Sequence, residues 1–318
     1  MSNKNKYRQL CEKEITIPIF SQAWWLDSVA GDGWDVVLVE KGDEIHASMP
    51  YVTKKKYGLT ILSQPALTQH LGPWLRPSVA KYARRLAQEK DLLQALYSQL
   101  PMHVHYSQNW HHQCTNWLPL HWMGYAQTTR YTYIINELND LDMVNKNFDT
   151  NIRTDIRKAQ NKAGVKVVTD LPIDTFLKLN RKVFSRQGMT LPYSEELVKR
   201  IDKNATSRNA GKCFIAVDEQ GRHHAGVYII WDNNSAYYLL GGGDPDLRNS
   251  GATSLCMWEA IQFAATVTKS FDFEGSMIEP IERFFRAFGA QQVPYFSVSR
   301  TQSRFLKAAL TLRTILKS

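Results

Sequence analysis

The chain has 318 residues, of which 43% are hydrophobic and 22% charged, a composition typical of a globular protein with one large domain or two ordinary ones. No apolar run is long enough to span a bilayer, and the polar first residues lack the apolar segment of a signal peptide, so we expect a cytoplasmic protein. The net charge of +9 favours an anionic partner, such as nucleic acid, a lipid headgroup or a phosphorylated substrate. Four scattered cysteines are expected to be reduced thiols: Cys11, Cys114, Cys213 and Cys256.

The first part of the chain is predicted to form three strands, a helix and a fourth strand. Apolar and polar residues alternate over 34–40, 44–53, 59–65 and 102–108, which predicts strands, and the apolar spacing over 78–100 predicts a helix. Seven of the nine tryptophans lie within the first 122 residues, and we expect most of them to fill the core of this part.

The second part repeats this order. Strands are predicted over 213–218, 223–231 and 236–242, followed by a helix over about 250–268 and a short strand over 270–275. The repeated order of elements indicates a duplicated α/β unit.

The repeat predicts an α/β fold with two domains, residues 1–125 and residues 126–318. Further elements of the second domain are predicted over 128–137 (strand), about 146–163 (helix), from Asp174 as an N-cap (helix), 278–288 (helix), 292–299 (strand) and 301–316 (basic helix). The terminal helix has an apolar stripe flanked by cations, so it either packs against the second domain or attaches to a membrane surface.

The stretch LLGGGDPDLRNSGATSLCMWEAI (239–261) joins a predicted strand to a predicted helix. A helix start presents unpaired N–H groups and a partial positive charge, which suit an anionic ligand; a tight turn is the other interpretation. The residues that would contact such a ligand are Gly241, Gly242, Arg248, Gly251 and Thr253.

Two other pairs of residues are candidates for a functional site. Arg153 and Arg157 lie four residues apart on a predicted helix, so their stripe either holds phosphates or is a solvated face. Asp272 and Glu274 alternate with phenylalanines on a predicted strand, so both are expected to face the same side. Either carboxylate can accept a proton from a substrate, or it can cap the neighbouring helix.

A segment rich in histidine, over 103–121, raises the alternative of a metal site. Its spacing fits no standard zinc pattern, and no metal is predicted. No GxSxG motif indicates a nucleophilic serine. The residues of the segment that could have served as ligands are His103, His105, His111, His112, Cys114 and His121.

The pattern Arg248-x-x-Gly251-x-Thr253 resembles the R/Q-x-x-G-x-G/A loop of the GNAT acyltransferases, which holds the pyrophosphate of acyl-CoA; Thr253 stands where those proteins have Gly or Ala. IRTDIRKAQNKAGVKV (152–167) and FDFEGS…FFRAFGA (271–290) extend the likeness. In this order the three segments resemble the FemAB-type (FemX-like) peptidoglycan-bridge aminoacyltransferases, which are tandem GNAT-like proteins. The resemblance is good over 125–300 and weaker over 15–110.

The resemblance implies an N-acyltransferase with acyl-CoA or aminoacyl-tRNA as co-substrate and no tightly bound cofactor. It implies a donor channel beside Phe285 and Arg286, where the family has Phe-Lys, and an acceptor contact at Arg153 or Arg157. The acceptor would be an amine on a phosphate-bearing cell-wall or glycan precursor, and the amine would attack without a covalent enzyme intermediate. Backbone N–H groups near Gly241 would stabilise the oxyanion. The alternative is a non-catalytic module that binds RNA or a glycan on a degenerate acyltransferase fold.

Overall fold

The computed structural model describes residues 1–56, 58–186 and 188–302. They form two compact units: unit 1 comprises residues 1–130 and those from 294 onward, and unit 2 comprises residues 131–293. The predicted terminal helix (301–316) lies outside the described residues except for 301 and 302, and so do both alternatives given for it, packing against the second domain and attachment to a membrane surface. Within the described ranges, no helix has both the length and the apolar character needed to cross a membrane.

Helices and strands are numbered in chain order. The helices are α1 (Asn3–Lys13), α2 (Ala23–Ala30), α3 (Tyr82–Ser98), α4 (Leu118–Trp122), α5 (Leu141–Lys146), α6 (Thr150–Asn161), α7 (Ile173–Arg186), α8 (Glu195–Thr206), α9 (Ala252–Ala264) and α10 (Glu279–Arg286). The strands are β1 (Trp34–Lys41), β2 (Glu44–Lys56), β3 (Leu59–Ser63), β4 (Trp74–Leu75), β5 (His105–Asn109), β6 (Ala126–Ile135), β7 (Lys166–Val168), β8 (Gly211–Val217), β9 (His223–Trp231), β10 (Ser235–Gly243), β11 (Ser270–Asp272) and β12 (Gln291–Thr301).

Unit 1 contains the strand order β1-β2-β3-β5-β12, with the short β4 beside β2. The first three strands are antiparallel, β3 and β5 are parallel, and β12 is antiparallel to β5. Helix α3 packs into the same core as Trp110, through residues such as Leu93 and Leu96. Of the seven early tryptophans, Trp25, Trp34, Trp74 and Trp110 are buried, whereas Trp122 is exposed.

Unit 2 contains the strand order β6-β11-β10-β9-β8-β7. Strands β8, β9 and β10 are antiparallel, β11 is parallel to β10, and β6 is antiparallel to β11. Three strands, a helix and a fourth strand thus occur in this order in both units, as the repeat in the sequence predicts; the structure adds that the three strands are an antiparallel meander and that the fourth strand is parallel to its neighbour. The fold is of the predicted mixed α/β class.

Helices cover both faces of the sheet in unit 2. Helix α9 packs between the sheet and α6, which explains why it is apolar on nearly all sides. Helices α7 and α8 pack on the opposite face, where Phe176 of α7 contacts Gly226 of β9. A β-carbon at Gly226 would lie 2.8 Å from the Phe176 ring, so the glycine permits this close packing.

The structure corrects several local predictions. Helix α7 begins at Ile173, so Asp174 lies in its first turn and is not its N-cap. Strand β11 ends at Asp272, so the predicted strand over 270–275 is too long. Helices α1 and α8 were not predicted; α8 starts with Ser194, whose side chain accepts the Leu197 N–H and caps the helix.

Candidate functional site

The pairing of β10 changes halfway along the strand. β10 pairs with β9 as far as Gly243, but with β11 only over Ser235, Ala236 and Tyr237. Its register with β9 shifts between Tyr238 and Leu240, which marks a β-bulge. Beyond Tyr237, the edge of β10 that β11 occupied carries backbone groups with no strand partner among the described residues. This free edge leads directly to the loop before α9.

The glycines at the end of β10 are explained by packing. A β-carbon at Gly242 would lie 2.6 Å from the backbone nitrogen of Asn180 in α7, and one at Gly241 would overlap the Tyr238 hydroxyl. Asn180 Nδ2 also donates to the Gly241 carbonyl at 2.7 Å. Because these contacts account for both glycines, the glycine run alone is not evidence for a bound phosphate. The role of Gly241 and Gly242 in donor binding stays a prediction.

Gly251 begins α9 in the left-handed region, with φ of +81°. A β-carbon there would lie 2.2 Å from the Asp155 carbonyl oxygen, so α6 approaches the loop as closely as backbone allows. Gly251 has no side chain to cap the first turn of α9, although Ser250 Oγ accepts the Ala252 N–H at 3.3 Å. Arg248 and Thr253 beside it are exposed. A helix start of this kind attracts anions through its N–H groups and its dipole.

The α6 arginines lie on the helix that contacts this loop. Arg153 donates to the Lys146 carbonyl at 2.8 Å, and Arg157 Nε donates to the Arg153 carbonyl at 3.3 Å. Neither guanidinium has a carboxylate partner within the described ranges. Both therefore keep donor capacity for an anion, and Arg157 is the more exposed of the two.

Asp272 and Glu274 lie where β11 ends. Asp272 is 3% exposed, and its Oδ1 accepts hydrogen bonds from the Thr132 hydroxyl and, at 2.7 Å, from the Glu274 N–H. Burial raises the pKa of Asp272 to about 6, and these two hydrogen bonds limit the rise. Burial, and then the charge of Asp272, raise the pKa of Glu274 well above its usual range. The two carboxyls form one coupled pair.

Glu274 is held differently from what strand alternation predicts. Its φ is +59°, a left-handed conformation, and it lies beyond the last residue of β11. The next residue, Gly275, also has positive φ and fits against the Tyr131 carbonyl of β6. The backbone therefore turns at once after Phe273, and the proximity of the carboxyls comes from this turn and not from a shared strand face.

Helix α10 places Phe285 and Arg286 in different environments. The Phe285 ring is buried, with its centroid 5.6 Å from that of Tyr238 and 5.3 Å from that of Phe273. Arg286 is exposed and its Nε bonds Glu282 at 2.9 Å. Glu282 in turn accepts a hydrogen bond from the Tyr133 hydroxyl at 2.6 Å. The predicted pair is thus one aromatic residue of the core beneath β10 and one surface cation.

Sequence reasoning missed Asn180, Tyr193 and Thr132. Asn180 is 1% exposed, donates to Gly241 and accepts the Tyr193 hydroxyl at 3.0 Å. A polar residue among the apolar positions of α7 was the available signal. Tyr193 and Thr132 have no comparable signal, since their partners lie far away in the chain.

The histidine-rich segment forms no metal centre in the described part of the chain, where no group of three or more His, Cys, Asp or Glu side chains is arranged to hold an ion. His103 bonds the Pro101 carbonyl and His105 bonds Thr301. All four cysteines are free thiols, of which Cys213 and Cys256 are buried.

A protein-family model matches part of the chain. Residues 146–278 match the family model described as Acetyltransferase (GNAT) domain, a stretch that contains α6, the loop at Gly251 and both carboxyls. No curated protein sequence matches the chain.

Solved structures share the fold across nearly the whole chain. FemX is 13% identical, with 92% of this chain and 95% of that chain covered and a TM-score of 0.65. The C-terminal domain (DUF2156) of a protein described as a lysylphosphatidylglycerol synthetase, from Agrobacterium fabrum, is 10% identical, with 98% and 96% covered and a TM-score of 0.61. A tandem GNAT protein from the clavulanic acid biosynthesis pathway is 9% identical, with 94% of each chain covered and a TM-score of 0.52.

These identities are too low to show more than a common fold. The expected resemblance is nevertheless confirmed: the chain has the α/β fold of FemX and of tandem GNAT proteins, and residues 146–278 match an acetyltransferase (GNAT) domain in sequence.

Proposed function

We propose that this chain is an N-acyltransferase whose unit 2 binds an activated donor at the start of α9. The observation that carries the proposal is the helix start at Gly251, a cap residue with no side chain, which follows β10 after a short loop where the β11 edge of that strand is free. A phosphate at the helix start and an acyl group along the free strand edge would then belong to one ligand.

The donor is an acyl-CoA or an aminoacyl-tRNA. Both carry phosphates that Arg248, Thr253 and the first N–H groups of α9 would bind. Phe285 and Arg286 would flank the acyl channel, as the resemblance to the FemX-like proteins implies. The basic charge of the chain favours the tRNA-linked donor, whereas the match to an acetyltransferase (GNAT) domain favours acyl-CoA. Both donors are made in the cytoplasm, in keeping with the expected location.

The chemistry is a direct attack of an amine nitrogen on the acyl carbon. The new C–N bond forms as the C–S bond of a thioester, or the C–O bond of an aminoacyl ester, breaks. The amine proton passes to the carboxyl pair, and the leaving group takes up a proton. Asp272, with a pKa of about 6, is ionised at neutral pH and can act as the base. N–H groups on the free edge of β10 would stabilise the oxyanion.

The acceptor is an amine on a phosphate-bearing precursor of cell wall or glycan, held by Arg153 or Arg157. The support is the donor capacity of both guanidiniums and their position on the helix that contacts Gly251. A phospholipid acceptor is the second candidate, because the neighbour from Agrobacterium fabrum is described as a lysylphosphatidylglycerol synthetase. Either acceptor places a phosphate beside a free arginine.

The test is product formation with radiolabelled acetyl-CoA or charged bulk tRNA and a set of amine acceptors, including phosphorylated amino sugars and phosphatidylglycerol vesicles. Wild type should transfer label from one donor class. Arg248→Ala should reduce transfer at subsaturating donor about tenfold or more, because one charge-assisted phosphate contact is lost. Arg208→Ala, an exposed arginine near β8, is the matched control and should retain wild-type transfer.

The outcomes distinguish the enzyme from a binding module. If charged and uncharged tRNA are retained equally, both salt-sensitively, and no donor is consumed, the chain binds nucleic acid without catalysis. If Arg248→Ala transfers label as well as wild type, the donor site proposed at Arg248 is contradicted, whereas the proposed acyltransferase activity is not.

A further inference from the structure

Unit 1 contains a cavity of about 750 Å³ that the proposed function does not use. Its walls come from α3, from β4 and its flanking loops, and from the segment 111–116. A volume of this size is within the range of small-molecule sites in proteins. The cavity is formed by parts of the chain that are distant in sequence, so no local sequence motif predicts it.

The buried part of the wall is uncharged and contains the polar residues His70 and Ser21 beside the apolar Trp74 and Leu92. His70 is 5% exposed, and burial lowers its pKa to about 3; burial and the neighbouring His70 lower the pKa of His111 as well. Their ring centroids are 4.5 Å apart. The Gln113 N–H donates to His111 Nδ1 at 3.3 Å, so the neutral His111 ring carries its proton on Nε2. This region suits hydroxyl groups better than a charge.

The more exposed part of the wall is cationic. Lys41, Arg76 and Arg85 line it, against one lining carboxylate, Glu89. Arg85 lies 3.6 Å from Glu89, and Arg76 lies 3.6 Å from Glu14. These distances exceed the 2.7–2.9 Å typical of charge-assisted hydrogen bonds, so the guanidiniums keep donors available for an anion. Arg76 Nε bonds the Ile45 carbonyl at 3.0 Å, which orients its side chain.

We propose that this cavity binds a phosphorylated polyol, with the phosphate at Arg76 and Arg85 and the hydroxyl groups on the neutral wall around His111. The two kinds of lining residue match the two parts of such a ligand: an anionic head needs the cations, and an uncharged hydrogen-bonding body needs groups that stay neutral. The site lies wholly in unit 1 and is separate from the donor site proposed at Gly251.

Titration calorimetry on the full chain tests this, with glucose 6-phosphate and inorganic phosphate as probes. We expect the sugar phosphate to bind about tenfold or more tightly than phosphate, because only it reaches the neutral wall. Arg85→Gln should weaken its binding about tenfold, the effect of losing one charge-assisted contact. Arg84→Gln is the matched control: Arg84 precedes Arg85 on α3, is exposed and does not line the cavity, so binding should stay within about twofold. Thermal unfolding of both variants checks that they fold.

Several results would overturn the proposal. Equal losses of affinity in Arg84→Gln and Arg85→Gln would mean a general charge effect. Equal affinity for the two probes would mean that the hydroxyl groups of the sugar phosphate do not contribute to binding. Absence of binding to wild type would remove the site. Binding lost in Arg248→Ala but kept in Arg85→Gln would place the phosphate at the donor site, against this proposal but in favour of the proposed function.

Discussion

The two units share one strand order but connect the third strand to the next helix in different ways. In unit 2, residues 244–251 lead from β10 straight into α9, and Gly251 presses against Asp155 of α6. In unit 1, residues 64–81 separate β3 from α3, form β4 on the way, and line a large cavity. The short connection places the start of a helix beside the end of a strand, whereas the long connection forms part of the wall of a cavity.

The difference extends to charge. Unit 2 contains a helix start whose cap residue is a glycine and a buried carboxyl pair at the end of β11, a combination that favours chemistry on an anionic donor. The cavity of unit 1 has neutral imidazoles within and cations at its more exposed side, a combination that favours binding alone. Duplicated topology therefore does not imply duplicated function.

The largest expected effect comes from replacing Gly251 with alanine. The added β-carbon would overlap the Asp155 carbonyl, and the left-handed φ adds about 1–2 kcal/mol of strain. We expect the free energy of unfolding to fall by about 3 kcal/mol or more in a urea titration. Gly221→Ala is the control: φ is similar but nothing lies within 4 Å, so only the strain should appear. Equal losses of stability in the two variants would mean that the contact between α6 and the loop does not contribute to stability.

Asp272→Asn should lower the activity of the enzyme but remove the free-energy cost of burying a charged carboxylate. Loss of the base should lower kcat about 100-fold or more. Because the folded pKa of about 6 lies above the unfolded value, the stability from this group is greatest below about pH 4 and is lost as pH rises to 6. Two pKa units correspond to about 3 kcal/mol. In urea titrations at pH 4.5 and 7.5, the free energy of unfolding of the variant should increase relative to that of wild type at the higher pH. An equal difference in this free energy at both pH values would contradict the raised pKa.

Asn180→Ala tests the clamp between α7 and β10. It removes the bond to the Gly241 carbonyl and the acceptor of the Tyr193 hydroxyl, so we expect unfolding to be easier by about 1–3 kcal/mol, with donor transfer reduced. Tyr193→Phe removes only the second bond and should cost about 1 kcal/mol. If the two variants lose equal stability, Asn180 does not hold Gly241 in place.

Much of this architecture follows from the sequence, because strand alternation, turns and helix periodicity are local. The order of three strands, a helix and a fourth strand was predicted in both units, whereas the strand directions were not. The end of β11 was not, since the positive φ of Glu274 has no signature in a non-glycine residue. Nor was the reason for Gly242, which is the backbone of α7, 62 residues earlier and brought near only by folding.

The smallest expected effect is that of Arg286→Gln. Arg286 pairs with Glu282 at the surface, and such pairs add little to stability, so the urea midpoint should not change measurably. Donor affinity should still fall about tenfold if Arg286 contacts the donor phosphates. Unchanged affinity would leave Phe285 as the only part of this pair near the donor.

Hydrogen exchange of the full chain, with and without the donor that supports transfer, tests the central claim most directly. Peptides covering 239–261 should gain protection, because the donor would bind the N–H groups at the end of β10 and the start of α9. Peptides covering 59–92, the equivalent connection in unit 1, should be unchanged. Protection confined to 59–92 would contradict the account by placing the donor in unit 1 instead of at Gly251.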